Sequence, residues 1–139
     1  MSSQNAPTPL PQFDFDNKDY WAWAKKRELR IQRCTKCRTF RFPPRPVCHA
    51  CHSFDFKWYK CSGKGAVYSY TIVTHPTHPA FRDKVPYGVV LVELEEGVRM
   101  ISNVVDVPPD QLRIGMPVEV VFEDVAEDVT LPKFRKTKP

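Results

Sequence analysis

Four cysteines in two closely spaced pairs constrain this chain more than any other feature. The pairs are Cys34-Thr-Lys-Cys37 and Cys48-His-Ala-Cys51, and ten residues separate them. Four thiolates at this spacing can bind one zinc ion tetrahedrally, each at about 2.3 Å from the metal. The intervening residues 38–47 are too few and too rich in proline for a helix. We therefore expect an extended excursion that returns to the second pair, as in a zinc ribbon.

Two disulfides are the alternative interpretation of these cysteines. The sequence starts Met-Ser-Ser-Gln-Asn-Ala-Pro, without the charged start and apolar run of a secretory signal. A reducing compartment favours metal binding over disulfides. The sequence therefore predicts one structural Zn²⁺ bound by the four cysteines, in a cytoplasmic protein.

The neighbouring histidines and the fifth cysteine are expected to play no part in metal binding. His49 and His52 are within reach, but four cysteines already complete a tetrahedron, so we expect both on the surface. Arg38 and His52 occupy the positions where glycine often follows such a pair. Cys61 is a lone thiol in an alternating segment with no adjacent base, which predicts a small packed hydrophobic residue rather than a nucleophile.

Charge is distributed unevenly along the 139 residues, although the net charge is only +5. Residues 25–45 hold nine Lys or Arg and one acidic residue, whereas residues 47–132 hold seven basic and twelve acidic residues. Residues 133–138 add four more positive charges. The basic surface is therefore expected on the ribbon and the C-terminus, beside an acidic body. No apolar run approaches the roughly 20 residues that span a bilayer, so we expect no membrane segment.

The residues before the first cysteine pair predict a helix. Asp16 can cap it, Phe15 can pack onto Tyr20, and we expect it to run to about Arg30. Trp21 and Trp23 are about 200° apart on a helix, so both cannot face one small core. One tryptophan is left either for the ribbon to cover or for a partner protein to bind.

Short apolar stretches separated by prolines and glycines follow the ribbon. With fourteen prolines and only five glycines, they predict five or six antiparallel strands, which is the content of an OB-fold barrel. The loop 75–86 carries three prolines and is long enough to be functional. The expected division is a flexible tail at 1–12, a helical segment at 13–33, a zinc ribbon at 34–53, an OB-fold barrel at 54–134 and a basic tail at 135–139.

Several of these motifs together resemble the family long labelled "domain of unknown function thirty-five". The resemblance covers roughly residues 13–134 and includes the N-terminal helix and both cysteine pairs. The remaining motifs are Pro43-Pro44-Arg45, Ser62-Gly-Lys-Gly65, Tyr68-Ser-Tyr-Thr71, Pro86-Tyr87, Val92-Glu-Leu94 with Glu96-Gly97, and Ile114-Gly-Met116. The resemblance implies a mainly β protein with an N-terminal helix, a rubredoxin-like zinc ribbon and a C-terminal OB-fold barrel.

The resemblance also implies a function. Family members are non-catalytic partners of thiolase-superfamily enzymes, including retro-aldolases that shorten steroid side chains on coenzyme A. They complete the partner's acyl-CoA site, while the chemistry stays in the other subunit. On that basis we expect contacts with acyl-CoA or with the partner at one set of residues: Trp21, Trp23, Arg41, Arg45, His75, Phe81 and Tyr87.

Two other classes of function compete with this one. Zinc ribbons and OB-folds often bind nucleic acid, but an OB-fold that follows single strands needs a basic groove, and this barrel is acidic. A free-standing enzyme is less favoured still, since no Gly-x-Ser-x-Gly, His-Glu-x-x-His or phosphate-binding glycine loop is present. His75 and His78 are a weak pattern for a second metal. Arg38, Arg41 and Arg45 could also form only a solvated rim.

Overall fold

The computed structural model describes residues 9–137 and shows one helix and eight strands. The elements are α1 (Lys18–Lys25), β1 (Arg30–Cys34), β2 (Phe40–Arg41), β3 (Phe56–Lys60), β4 (Lys64–Val73), β5 (Tyr87–Leu94), β6 (Arg99–Ser102), β7 (Pro117–Ala126) and β8 (Val129–Lys136). Single 3₁₀ turns lie at Pro79–Phe81 and Pro109–Gln111. The strands form two sheets, so the predicted mainly β fold with an N-terminal helix is confirmed.

Helix α1 is shorter than the sequence predicts, and its end has a clear cause. Arg27 adopts a left-handed conformation with φ of 66°. The N–H of Arg27 donates to the Ala24 carbonyl and the N–H of Glu28 to the Trp23 carbonyl, which is the Schellman arrangement. The helix therefore ends at Lys25 rather than near Arg30.

The start of the helix also differs from the prediction. Asn17 is the N-cap residue, not Asp16, and Phe15 is 85% exposed instead of packing on Tyr20. Phe13 stacks on Trp21 in its place, with ring centroids 6.2 Å apart.

The ribbon sheet has the strand order β2-β1-β3. Strand β3 pairs with β1 along its whole length, from Arg30 opposite Lys60 to Cys34 opposite Phe56. The sequence places β3 in the barrel and most of β1 in the helical segment 13–33. The left-handed turn at Arg27 ends the helix, so residues 30–34 extend into β1, and β3 pairs with this strand rather than with a strand of the barrel. The predicted division into modules, with the ribbon ending at residue 53 and the barrel starting at residue 54, remains a prediction.

The second sheet has the order β6-β5-β4-β7-β8 and curls into the predicted OB-fold. It closes through an isolated bridge between Val104 and Phe134, where Phe134 N–H donates to the Asn103 carbonyl at 2.9 Å. A 3₁₀ turn follows Pro108, and the Gly97 N–H donates to the Leu94 carbonyl at 2.8 Å in the hairpin turn between β5 and β6.

One hydrophobic core runs through both sheets. Tyr20 from α1 and Ile31 from β1 belong to the same buried cluster as Val92, Val118 and Phe134 of the barrel. Arg27 reinforces this packing from the surface, since its guanidinium forms two hydrogen bonds with the Asp124 carboxylate at 2.9 and 2.7 Å. Ribbon, helix and barrel therefore share one interior.

Only part of each predicted tail lies within the described residues. Residues 1–8 of the expected N-terminal tail and residues 138–139 of the expected C-terminal tail lie outside the described residues. At the C-terminus, β8 continues to Lys136, so the expected tail at 135–139 starts inside a strand. Across residues 9–137, the one α-helix is far shorter and less apolar than a membrane-crossing helix has to be.

Candidate functional site

The first cysteine pair is held in a tight knuckle at the end of β1. The Cys34 sulfur accepts hydrogen bonds from the N–H groups of Lys36 and Cys37, at 3.4 and 3.5 Å. The N–H of Arg38 donates to the Cys34 carbonyl at 3.0 Å, and Arg38 takes a left-handed φ of 67°. The Cys37 N–H is the main reason why the pKa of the Cys34 thiol falls to about 6, which favours the thiolate that binds metal.

The second pair repeats this geometry almost atom for atom. The Ala50 N–H donates to the Cys48 sulfur at 3.4 Å, and the His52 N–H donates to the Cys48 carbonyl at 2.9 Å. His52 also has a φ of 67°. Both knuckles therefore keep the turn that glycine usually supports, even though Arg38 and His52 stand at the left-handed positions.

The four sulfurs fit a tetrahedral zinc ion. All lie within 4.8 Å of one another, and the pairs Cys34–Cys51 and Cys37–Cys48 are each separated by 3.6 Å. A tetrahedron with metal–sulfur bonds of about 2.3 Å has edges of about 3.8 Å, which matches these separations. The predicted structural zinc site is confirmed.

Cys61 is packed in the interior and His49 and His52 lie on the surface, as the sequence predicts. Cys61 is buried in the hydrophobic core, and burial, followed by the charge of Glu96, raises the pKa of its thiol to about 12. His49 and His52 are exposed and stand outside the sulfur cluster. Within the described part of the chain, His75 and His78 join no group of metal-ligating side chains. His78 instead accepts a hydrogen bond from the Ala80 N–H at its Nδ1, 3.0 Å away.

Two arginines of the basic segment form hydrogen bonds to backbone carbonyls within the protein. Arg41 is only 1% exposed, and its guanidinium lies 3.4 Å from the Arg45 carbonyl and 3.3 Å from the Asp55 carbonyl. Burial removes Arg41 from the residues that we propose as ligand contacts. Arg45 is half-buried and donates to the Phe42 carbonyl at 3.1 Å. Arg38 is exposed, in keeping with a solvated rim.

The two tryptophans of the helix have different environments. Trp21 packs against the core, edge-on to Tyr20 at 5.0 Å, and its indole Nε1 is buried without a hydrogen-bond partner among the described residues. Trp23 lies outside the core, with the Arg30 guanidinium 4.0 Å from its ring centroid and Lys26 at 5.1 Å. The ribbon segment thus covers part of Trp23 by cation–π contacts.

Two adjoining hollows form a groove across the joint between the modules. The first, about 320 Å³, is lined by Trp21 and by Phe42 and Pro43 of the ribbon. The second, about 530 Å³, is lined by Phe81 and Tyr87 of the barrel mouth. Both hollows share three lining residues: Asn103, Leu131 and Lys133. We call the two hollows together the joint groove.

The joint groove brings together three of the residues predicted from the sequence and leaves others out. Trp21, Phe81 and Tyr87 line it, whereas Trp23, His75 and Arg45 do not. Sequence reasoning missed the shared floor at Asn103, Leu131 and Lys133. That floor exists because the bridge from Val104 to Phe134 brings distant segments side by side, and no local pattern signals such a contact.

Comparisons with known proteins give concordant results. The family model described as "ChsH2, rubredoxin-like zinc ribbon domain" matches residues 21–57, and the model described as "ChsH2, C-terminal OB-fold domain" matches residues 58–123. A "DUF35 domain-containing scaffold protein" of Methanocaldococcus jannaschii is 41% identical over 110 residues, which are 78% of this chain and 77% of that protein.

Two further matches are to proteins named as an enzyme subunit or an enzyme complex. The "Probable enoyl-CoA hydratase alpha subunit" of Thermomonospora curvata is 46% identical over 131 residues, 94% of this chain; the match spans only 40% of that longer protein. A chain of the solved structure "Ltp2-ChsH2(DUF35) aldolase" is 46% identical with a TM-score of 0.83, covering 91% of this chain and 98% of that one.

Proposed function

Because this chain belongs to the DUF35 family of joined zinc ribbons and OB-folds, we propose that it is a non-catalytic accessory subunit of a thiolase-superfamily enzyme. In this role it helps to form that enzyme's acyl-CoA site. The similarity to nearly the whole of one chain of the "Ltp2-ChsH2(DUF35) aldolase" carries the proposal. The finer parts of the proposal are a cytoplasmic location and an acyl-CoA that bears a steroid side chain.

The state of the reactive side chains supports a non-catalytic role. The four ribbon cysteines are committed to zinc, and the Cys61 thiol, with its pKa of about 12, stays protonated near neutral pH. The imidazole Nδ1 of His78 is occupied by a backbone N–H. The Claisen-type chemistry then belongs to the partner subunit.

The joint groove supports the acyl-CoA part of the proposal. Its larger hollow falls within the usual range of about 300–1,000 Å³ for small-molecule sites, and its walls combine apolar side chains such as Val104 and Leu131 with polar ones such as Asn103. It starts beside the basic ribbon segment, at Phe42 and Pro43, and ends at Phe81 and Tyr87. We propose that the acyl chain lies along the apolar part of the joint groove, while basic side chains near the ribbon contact the phosphates of the coenzyme.

Nucleic-acid binding, the alternative function, has weaker support. A contact made by the ribbon alone would use the basic segment, yet Arg41 is buried and Arg45 is folded onto the Phe42 carbonyl. A salt-dependent shift of a single-stranded oligonucleotide by the purified chain would restore this alternative.

The proposal is tested by co-expressing the chain with a thiolase-superfamily enzyme. We expect a stable complex by light-scattering mass and thioester cleavage that depends on this chain. An enzyme that is equally soluble and equally active alone contradicts the proposal.

A pair of variants then tests the groove in the active complex. Phe81→Ala removes a groove wall and is expected to raise the KM for acyl-CoA several-fold. Ile114→Ala removes a smaller apolar side chain that is 71% exposed and lies outside the groove, so the KM should not change. Equal KM values for both variants would remove the groove from the proposal while leaving the accessory role intact.

A further inference from the structure

The second half of β4 has one edge that no strand within residues 9–137 covers. Strand β5 pairs with β4 from Gly65 to Val73 on one side. On the other side, β7 pairs only with Lys64, Gly65 and Ala66 before it diverges. Residues 69–73 of β4 are therefore paired along one edge alone, and we call the other edge the open edge.

The register shows which backbone groups point to the open edge. Even-numbered residues of β5 face β6, since Leu94 N–H donates to the Val98 carbonyl at 2.8 Å. The odd-numbered residues of β5 therefore face β4, opposite residues 69, 71 and 73. By the alternation of an antiparallel ladder, the N–H and C=O groups of Tyr70 and Ile72 point away from β5.

The open edge carries little of the protection that sheet edges usually have: an irregularity of register between Val67 and Ser69 precedes it, but residues 69–73 themselves are unguarded. Natural edges are guarded by charged side chains, prolines, bulges or covering segments. Residues 69–73, Ser-Tyr-Thr-Ile-Val, contain no charge and no proline. Tyr70 is 37% and Ile72 is 39% exposed. The barrel's other edges differ, because β6 carries Arg99 and the segment after it is bridged to β8 through Val104.

From this geometry we infer that the open edge of β4 binds an extended strand of the partner subunit, which adds to the barrel sheet. Backbone groups that repeat every second residue, about 6.7 Å apart, are matched by another extended backbone and not by a small ligand. The partner strand would place alternate apolar side chains against Tyr70 and Ile72, which share one face with Val90 and Gly88.

A different protein fits this edge better than a second copy of the chain. A stable interface covers about 800 Å² per partner, far more than five edge residues provide. A larger partner can reach further surface beside the edge, including the exposed Tyr68 that precedes it. The inference rests on the proposed function, because that function supplies the partner.

Two substitutions at one position separate backbone pairing from side-chain contact. Ile72→Pro removes the outward N–H without touching the bonds to β5, and proline is tolerated at strand edges. Ile72→Ala loses more of the side chain but keeps the N–H, so loss of side-chain contact alone would weaken Ile72→Ala more. We expect Ile72→Pro to weaken the complex with the thiolase-superfamily protein at least tenfold relative to Ile72→Ala, measured as the Kd by calorimetry. Both free variants are first compared with the wild type in thermal unfolding.

Hydrogen exchange on the unmodified complex gives a second measurement, in case Ile72→Pro fails to fold. The amides of Tyr70 and Ile72 should become protected when the partner binds. Equal Kd values, or unprotected amides in a formed complex, would overturn the inference alone. A wild-type chain that binds no thiolase-superfamily protein would overturn the proposed function and the inference with it. A homodimer that Ile72→Pro dissociates would show a second copy at the edge and overturn the choice of partner.

Discussion

Replacing either left-handed residue of the knuckles with glycine is expected to stabilise the ribbon. Arg38 and His52 both have a φ of 67°, and each follows a metal-binding cysteine pair. Both side chains are exposed, and no hydrogen bond from either side chain is present among the described residues. Arg38→Gly and His52→Gly therefore remove backbone strain without removing a recorded side-chain contact.

The expected gain follows from two opposing terms. A left-handed conformation costs a non-glycine residue roughly 1–2 kcal/mol. Glycine removes that cost, but it also makes the unfolded chain more flexible, which lowers the free energy of unfolding by about 0.4–1 kcal/mol. The net stabilisation is about 0.5–1 kcal/mol per substitution. Since ribbon folding and zinc binding are coupled, this gain should appear as zinc affinity about two- to fivefold tighter.

The measurement is a competition titration of the zinc-loaded protein against a chelator of known affinity. The matched control is Lys36→Gly in the same knuckle, which also replaces a long basic side chain but is not at a left-handed position. This control should bind zinc slightly more weakly, because glycine costs about 0.5–1 kcal/mol where φ is ordinary. The strain argument is refuted if Arg38→Gly and Lys36→Gly shift the affinity in the same direction.

Three further predictions concern the metal, the surface and the sheet. Zinc removal, which takes on the order of 10 kcal/mol from the ribbon, should speed hydrogen exchange throughout residues 34–60 but not in β7 and β8; uniform exchange would contradict this. The Arg27 hydrogen bonds hold the pKa of the Asp124 carboxyl well below its usual range, so the pair stabilises the fold above about pH 4 and loses that contribution as the pH falls. Asp124→Asn should therefore unfold more easily than wild type at pH 7, with the difference shrinking towards pH 2; a constant difference would argue against the ion pair. Gly65→Ala should lower the free energy of unfolding by about 1–3 kcal/mol, because the new Cβ would overlap the Glu93 carbonyl oxygen; unchanged denaturant unfolding would contradict it.

The sequence predicted the zinc centre well because its ligands are close together in the chain. Two Cys-x-x-Cys pairs define four ligand atoms and a tetrahedral ion with little help from the rest of the fold. The barrel strands were predicted for a similar reason, since each carries its own apolar pattern between prolines and glycines. The hairpin turn at Gly97 and the 3₁₀ turn after Pro108 follow from local chemistry.

The errors lie where distant contacts decide the structure. The basic run after Lys25 continues a helical composition, and only the left-handed turn at Arg27 shows that the helix has ended. Strand β3 alternates like a barrel strand, but its partner is β1 of the ribbon. Arg41 looks like a surface cation in the sequence, yet the ribbon encloses it. The joint groove depends on a bridge between residues thirty positions apart.

Helix α1 has a consequence for how this protein can be divided. It precedes the ribbon in the chain, yet it packs against β7 and β8 and places Tyr20 in the shared core. A gene fragment that starts at Trp58, where the two family models meet, would encode a barrel without a side chain that fills its interior. Exchange of modules between homologues at that point would likewise join a barrel to a foreign helix. We therefore expect helix and barrel to be inherited together, even though the ribbon separates them in the gene.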